Sequence, residues 1–222
     1  AIGTEVFGYP VSEAAQIIVK TVKLYFEGKE FSSVKNVFLC DLKSQHVKAF
    51  IEAVNMFFPQ SALSINQDPS QAAAQASVGS SSARFGTLSS STHRIEVVKG
   101  EMDRQKSAVL VNTTSPDLNL TKGAVSAALL KAAGQQLQNE CTMKYPNGIK
   151  NGEVAITGPG NLRCCHVFHG SLPSWKKDGS SLAIMKAFII NCLNEANRLK
   201  MTSIAFPALG TGILQYPKDV VA

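Results

Sequence analysis

Apolar residues recur at spacings of three and four between Pro10 and Gly28, with Ala14, Ile17, Ile18, Thr21, Val22, Tyr25 and Phe26 on one stripe. That period predicts an amphipathic helix, and Gly28 supplies its end. Val34 to Cys40 is a short apolar run closed by Asp41, the pattern of a buried strand. Lys43 to Phe57 returns to helical spacing, with Val47, Phe50, Ile51, Val54 and Phe58 on one side. Pro59 to Thr92 shows neither period. It is rich in Ser, Ala and Gln and reads as a flexible linker; its serine clusters also suit a phosphorylated or partner-binding tail.

Order returns at His93. Arg94 to Lys99 alternates as a strand into Gly100, and Ser107 to Asn112 is an apolar run of the kind buried on both faces. A polar loop, Thr113 to Lys122, leads to a helix opened by Gly123 and closed by Gly134. Glu153 to Thr157 and Cys165 to His169 read as short strands, Ser181 to Lys200 as a long helix, and Ser203 to Pro207 as a last strand. Strands alternating with helices predict an α/β layered fold with a largely parallel sheet. Such sheets bind ligands beyond the carboxyl ends of their strands.

The last stretch of the chain has a counterpart at its start. Ala1, Gly3, Thr4, Tyr9, Pro10 and Ala15 recur, at one constant offset, as Ala208, Gly210, Thr211, Tyr216, Pro217 and Ala222. The offset is domain-sized, so the sequence is expected to be a window onto a tandem array. On that reading, residues 1–58 are the C-terminal part of one unit and 59–92 are a linker. Residues 93–222 are the N-terminal and central part of the next. Pro10 to Phe58 would supply the elements that the second unit lacks, and are expected to dock onto it within one chain or between chains.

Composition narrows the partners. The content is 45% hydrophobic and 17% charged, as in a globular protein. A net charge of +6 favours anionic ligands, but Lys and Arg are scattered with no run marking a nucleic-acid patch, which leaves nucleic-acid or scaffold binding as a third reading. Five cysteines without CxxC spacing argue against a disulfide framework and a zinc site. They fit a reducing compartment, the cytoplasm or nucleus. No stretch approaches the roughly 20 apolar residues of a membrane span, and the opening residues lack a signal peptide's basic leader and apolar core.

Two glycine turns carry the candidate chemistry. Gly210-Thr211-Gly212 follows the last strand, and Pro217 suits the first position of a following helix. Backbone N–H groups at such a turn point one way and cradle an anion. Gly123-Ala124-Val125-Ser126 opens a helix with small residues, which fits either a well-capped start or one wall of a diphosphate site. Neither is a P-loop or a Rossmann fingerprint. His166 and His169 face opposite sides of one strand, which suits core or edge histidines better than a shared metal. Adjacent Cys164 and Cys165 would likewise face opposite sides. Glu101 and Asp103 follow the Gly100 turn, where a carboxylate either accepts from an exocyclic amine or is solvated. No paired carboxylates and no Ser-His-Asp pattern appear.

Taken in order, Gly100-Glu101-Met102, Val109 to Asn112, Gly123-Ala124-Val125, the Gly152 to Gly160 strand and turn, Cys165 to His169, and Ile204 to Gly212 resemble the macro domain, an ADP-ribose-binding module. The repeat and the wording of Asn112 to Leu120 look most like the macro-domain region of mono-ADP-ribosyltransferases that carry several macro domains. The resemblance implies a three-layer α/β/α fold with a mixed, largely parallel sheet. It implies ADP-ribose as ligand, free or on mono-ADP-ribosylated proteins, with no further cofactor and no metal. Glu101 and the Met102 amide fall where the adenine amine is held. Asn112 is the first asparagine of the family pattern. Gly123, Ala124, Val125 and Ser126 match the first phosphate loop, and Gly210, Thr211, Gly212, Ile213 and Leu214 the second. In the leading copy that loop is Gly3 to Phe7. Hydrolytic members usually carry a second asparagine where Ser115 stands, and many an aspartate where Ser126 stands. These departures favour a non-catalytic reader over an ADP-ribosyl hydrolase.

Overall fold

A computed structural model describes residues 10–29, 32–58, 83–89 and 93–211. In chain order the elements are α1 (Val11–Glu27), β1 (Asn36–Asp41), α2 (Ser44–Phe57), β2 (Ala83–Ser89), β3 (Arg94–Lys99) and β4 (Val109–Thr113). There follow α3 (Ala124–Ala133), α4 (Gln135–Lys144), β5 (Val154–Thr157), β6 (His166–Gly170), α5 (Ser180–Arg198) and β7 (Ser203–Phe206). The stripe expected on α1 is buried at Ala14, Ile18, Thr21, Val22 and Tyr25, and the Gly28 amide closes the helix onto the Leu24 carbonyl at 3.1 Å. Asp41 turns the chain from β1 into α2, its Oδ1 accepting the Lys43 amide at 2.9 Å.

The seven strands lie in the order β2-β3-β1-β7-β4-β6-β5. The five central strands are parallel, and β2 and β5 run antiparallel at the two edges. Strand alternation sorts side chains onto two faces. Val37, Leu39, Val109, Val111, Phe168, Ile204 and Phe206 pack under α1, α2 and α5. Cys40, Leu110, Val167 and Ala205 pack under α3 and α4. The result is a three-layer α/β/α fold. Phe50, Phe168, Phe188 and Phe206 are fully buried in the larger layer; burying each such side chain contributes roughly 1.5–3 kcal/mol.

The first two helices and β1 belong to this one sheet. β1 pairs in register with β3 on one side (Val37 with Ile95) and β7 on the other (Val37 with Ile204), and α1 and α5 share the core above them. Within the expected linker the structure holds a strand, β2, so that reading fails at residues 83–89. The register of β2 shifts between Arg84 and Gly86, and a glycine at a bulge inside a short strand masks its alternation. Helix α4 has no apolar stripe in sequence; only Leu137 and Cys141 are buried. At the far edge the Tyr145 hydroxyl accepts the Ile156 amide at 2.8 Å, occupying a group through which β5 would otherwise pair outward. Among the described residues no helix is long and apolar enough to cross a membrane.

Among the described glycines the closest packing is at Gly170, where a Cβ would lie 2.0 Å from Phe188 Cε2. Gly170→Ala is therefore expected to cost about 1–3 kcal/mol, as overpacking does. Thermal melting checks this: a lowered melting temperature, partly recovered by adding Phe188→Leu, is the expected outcome, and an unchanged one contradicts the packing.

Candidate functional site

β1, β3, β4 and β7 end at one edge of the sheet, and a cleft of about 280 Å³ opens there. Its lining comes from two neighbouring pairs of strands. The β1/β3 side supplies Cys40 to Lys43, His46 and Gly100 to Asp103. The β7/β4 side supplies Pro207, Ala208, Gly210, Thr211, Thr113 and, through the following loop, Gly123 to Val125. The two glycine turns expected to converge thus share one cavity.

On the β7/β4 side the backbone does the work. Gly123 sits at φ +87°, a conformation that side chains rarely adopt, and no side chain caps α3. The first amides of that helix have no partner within the helix, so they are available to an anion. Gly210 sits at φ +72°, and Thr211 closes the turn by donating from N and Oγ1 to the Ala208 carbonyl at 3.3 and 2.6 Å. Gly212, Ile213 and Leu214 lie outside the described residues, as does the leading-copy loop Gly3 to Phe7.

Two of the expected contact residues do not line the cavity. Asn112 is fully buried at the end of β4, and Ser126 is 1% exposed on the inner face of α3. Asn112 Nδ2 donates to Ser126 Oγ at 3.1 Å and lies 3.2 Å from His169 Nδ1. His169 Nε2 meets Thr157 Oγ1 at 2.9 Å. This polar chain ties α3, β4, β6 and β5 together beneath the glycine turn. Burial pushes the His169 pKa down from 6.5 to about 4, with Glu140 opposing, so the ring is neutral. A neutral ring whose Nδ1 accepts from Asn112 carries its proton on Nε2 and donates it to Thr157. Helix α4, absent from the sequence reading, braces the loop before α3: Gln138 accepts the Leu120 amide at 2.8 Å and donates to the Leu118 carbonyl at 3.1 Å.

The β1/β3 side carries charge. Glu101 lines the cleft, with its side chain 40% exposed and Arg104 Nε 2.5 Å from its Oε2. Met102 is buried in the α3/α4 core and also reaches the cleft. Asp41, Lys43 and His46 were not singled out from sequence, although Asp41 was placed at the carboxyl end of a strand, where ligands bind. Cys40, the cysteine that lines the cleft, is held as a thiol. Burial pushes Cys40 to about 12 and Cys141 and Cys164 to about 11, and all five cysteines are free. Cys164 and Cys165 precede β6 rather than lying in a strand, so strand alternation does not govern them. Among the described residues no His, Cys, Asp and Glu cluster suits a metal.

Fold and cleft together define an α/β module whose binding edge sets an anion cradle beside a carboxylate-bearing wall. The chain belongs to the macro domain family, whose pattern matches residues 111–222. It is 35% identical over 226 residues to the human protein mono-ADP-ribosyltransferase PARP14; the match covers all of this chain and 12% of that protein. A macro domain-containing protein of Listeria monocytogenes serotype 4b is 37% identical over 135 residues, covering 58% of this chain and 74% of the relative. Among solved structures, the Oceanobacillus iheyensis macrodomain with ADP superposes with a TM-score of 0.57 at 27% identity. That match covers 62% of this chain and 75% of the other.

The buried imidazole makes stability depend on pH. The unfolded chain takes up the His169 proton near 6.5, whereas the fold resists it until about 4. Stability from this residue is therefore complete above 6.5 and drains as pH falls towards 4, by about 3 kcal/mol in all. Urea unfolding at pH 7 and 4.5 should show a smaller acid loss for His169→Gln than for the parent. Equal losses would contradict the assignment.

Proposed function

We propose that this chain binds ADP-ribose, free or as the mono-ADP-ribosyl group on a protein, through its two glycine turns. The joint lining of one cleft by Gly123 to Val125 and by Gly210 and Thr211 carries this reading. The uncapped amides at the start of α3 offer N–H donors to a diphosphate, the positive end of the helix dipole adds to them, and the Gly210 turn lines the same cleft. The carboxylates across the cleft suit a base that presents N–H groups. The ADP complex of the Oceanobacillus macrodomain and the likeness of this chain to a segment of PARP14 support this choice of ligand. The reading concerns a binding segment, because the chain spans so little of PARP14. A tandem arrangement, expected from the repeat of Ala1 to Ala15 at Ala208 to Ala222, and a cytoplasmic or nuclear location go with it as proposals.

We propose binding rather than hydrolysis, on two serines that stand near the cleft. Ser126 faces inward to Asn112, and Ser115 is buried with its hydroxyl on Asp117. Neither lines the cleft, and a serine hydroxyl is a poor general acid or base. Calorimetric titration with ADP-ribose, using AMP as control, tests the proposal. Binding of ADP-ribose about tenfold or more tighter than AMP is expected, because the second phosphate adds charge-assisted hydrogen bonds. Gly123→Val, which forces a branched side chain onto a positive φ, should weaken ADP-ribose by about tenfold or more. A parent chain that melts cooperatively and takes up neither ligand overturns the reading.

A further inference from the structure

Helix α4 buries only Leu137 and Cys141, and no residue of it lines the cleft. Yet one of its side chains grips the loop that leads into the Gly123 turn. Gln138 Oε1 accepts the Leu120 amide at 2.8 Å, and its Nε2 donates to the Leu118 carbonyl at 3.1 Å. Both ends of the side-chain amide are thus spent on backbone groups that flank Asn119. Thr142, one turn further along α4, accepts Nε2 at 3.4 Å and steadies the side chain.

The gripped turn is one that the chain would not hold by itself. Leu118 sits at φ +54°, a left-handed conformation that a residue with a side chain adopts at a cost and keeps only where its surroundings impose it. Its side chain is buried in the core under α3 and α4, and its amide closes a turn onto the Ser115 carbonyl at 2.9 Å. From there each link is fixed to the next. The Asn119 amide donates to Asp117 Oδ1 at 3.2 Å, the Thr121 amide to Asn119 Oδ1 at 3.0 Å, and the Lys122 amide to the Asn119 carbonyl at 3.2 Å. The following residue is Gly123, whose φ of +87° starts α3. Among the described residues, hydrogen bonds from outside the loop reach residues 115–122 at two places. The Ile149 amide meets the Pro116 carbonyl at 2.9 Å, and Gln138 meets Leu118 and Leu120. Only the second bears on the half of the loop that leads to Gly123.

We propose that Gln138 is the positioning residue of the anion wall: it keeps the Leu118 turn wound and so keeps the first amides of α3 aimed into the cleft, without touching the ligand. This rests on the ADP-ribose reading above and adds to it what fixes the donors in place. Donors ordered before the ligand arrives spare it the cost of ordering them, and a binding site is only as well placed as the residues behind it. An apolar side chain at 138 would fill the same space but leave the Leu118 carbonyl and the Leu120 amide without partners in a partly buried setting. The turn would then relax to find others, and the start of α3 would move with it.

The test pairs calorimetric titration with ADP-ribose and hydrogen–deuterium exchange of the free chain, on the parent, Gln138→Met and Val19→Ala. Methionine keeps the length of the side chain and removes both hydrogen bonds. Val19 is fully buried on α1, over the other face of the sheet, so Val19→Ala reports what a plain loss of stability does to binding. Gln138→Met should bind ADP-ribose about tenfold more weakly. Its residues 118–125 should exchange severalfold faster than the parent's, while β4 and β7 keep their rates. Val19→Ala should lower the melting temperature and leave the affinity of the folded chain within about twofold of the parent's. A Gln138→Met chain that binds as the parent does overturns the proposal, as does an equal loss of affinity in Val19→Ala. Should Gln138→Met fail to melt cooperatively, Gln138→Glu is judged by the same comparisons, since it keeps an acceptor for the Leu120 amide and sets an oxygen against the Leu118 carbonyl. A parent that melts cooperatively and binds no ADP-ribose overturns the ADP-ribose reading. The hold on the turn is then judged by exchange alone: faster exchange at 118–125 in Gln138→Met supports it, and an unchanged rate overturns it.

Discussion

The cleft depends on one strand being where it is. β1 lies between β3 and β7, and each neighbour is distant in sequence. The chain is clamped as it enters: the Lys35 and Asn36 amides both donate to the Thr202 carbonyl, at 2.8 and 3.1 Å, and the Arg94 amide donates to Lys35 O at 2.7 Å. Just before it, the Ser33 amide donates to Asn197 Oδ1 at 2.8 Å, fixing the segment to the end of α5. Without β1 the facing edges of β3 and β7 would each expose a row of unpaired backbone groups. Asp41 would also leave the end of the sheet, and His46 would go with it on α2. The first part of the chain is therefore a wall of the cleft, not an appendage to it.

The opposite wall is stiffened from below by neutral polar groups rather than by charge. Asn112, Ser126, His169 and Thr157 are all buried, and their hydrogen bonds join one helix to three strands. A buried network of this kind fixes a local geometry, and it leaves one atom, Asn112 Oδ1, without a hydrogen-bond partner among the described residues, a cost in the low dielectric around it. Keeping the imidazole neutral avoids the larger cost of a lone buried cation. The complement to an anion is left to the amides at the start of α3, which no side chain caps and which the helix already orients.

Most of the elements were legible because their periods are clean. α1, α2, α5 and the parallel strands each have one buried face or two, and burial is what periodicity reports. α4 was missed because it buries only two side chains; its contribution is polar, through Gln138 to the loop before α3. β2 was hidden by Gly86 and a serine-rich flank. The site was legible only in part, for a different reason. A motif marks residues that matter to a cleft without separating those that face it from those that support it. Gly123 and Gly210 face it, whereas Asn112 and Ser126 stand behind it. Asp41 and His46 carry no motif at all. They become site residues only when the sheet sets the end of β1 beside the Gly100 turn.

That placement gives the cleft a direction. One side presents backbone N–H groups and the start of a helix; the other presents Asp41, Glu101 and Asp103, with Lys43 among them and Arg104 on Glu101. The overall charge of +6 does not explain this, because the basic residues are spread over the chain. What a ligand meets is the local field. A phosphate brought to the carboxylate side is repelled by like charge, and an amine brought to the amide side finds donors facing donors. A long ligand with an amino base at one end and phosphates further along satisfies both sides in one orientation only. For the ligand proposed above, the reversed pose would set phosphates against carboxylates and the amine against backbone donors, a penalty that favours one alignment along the edge of the sheet.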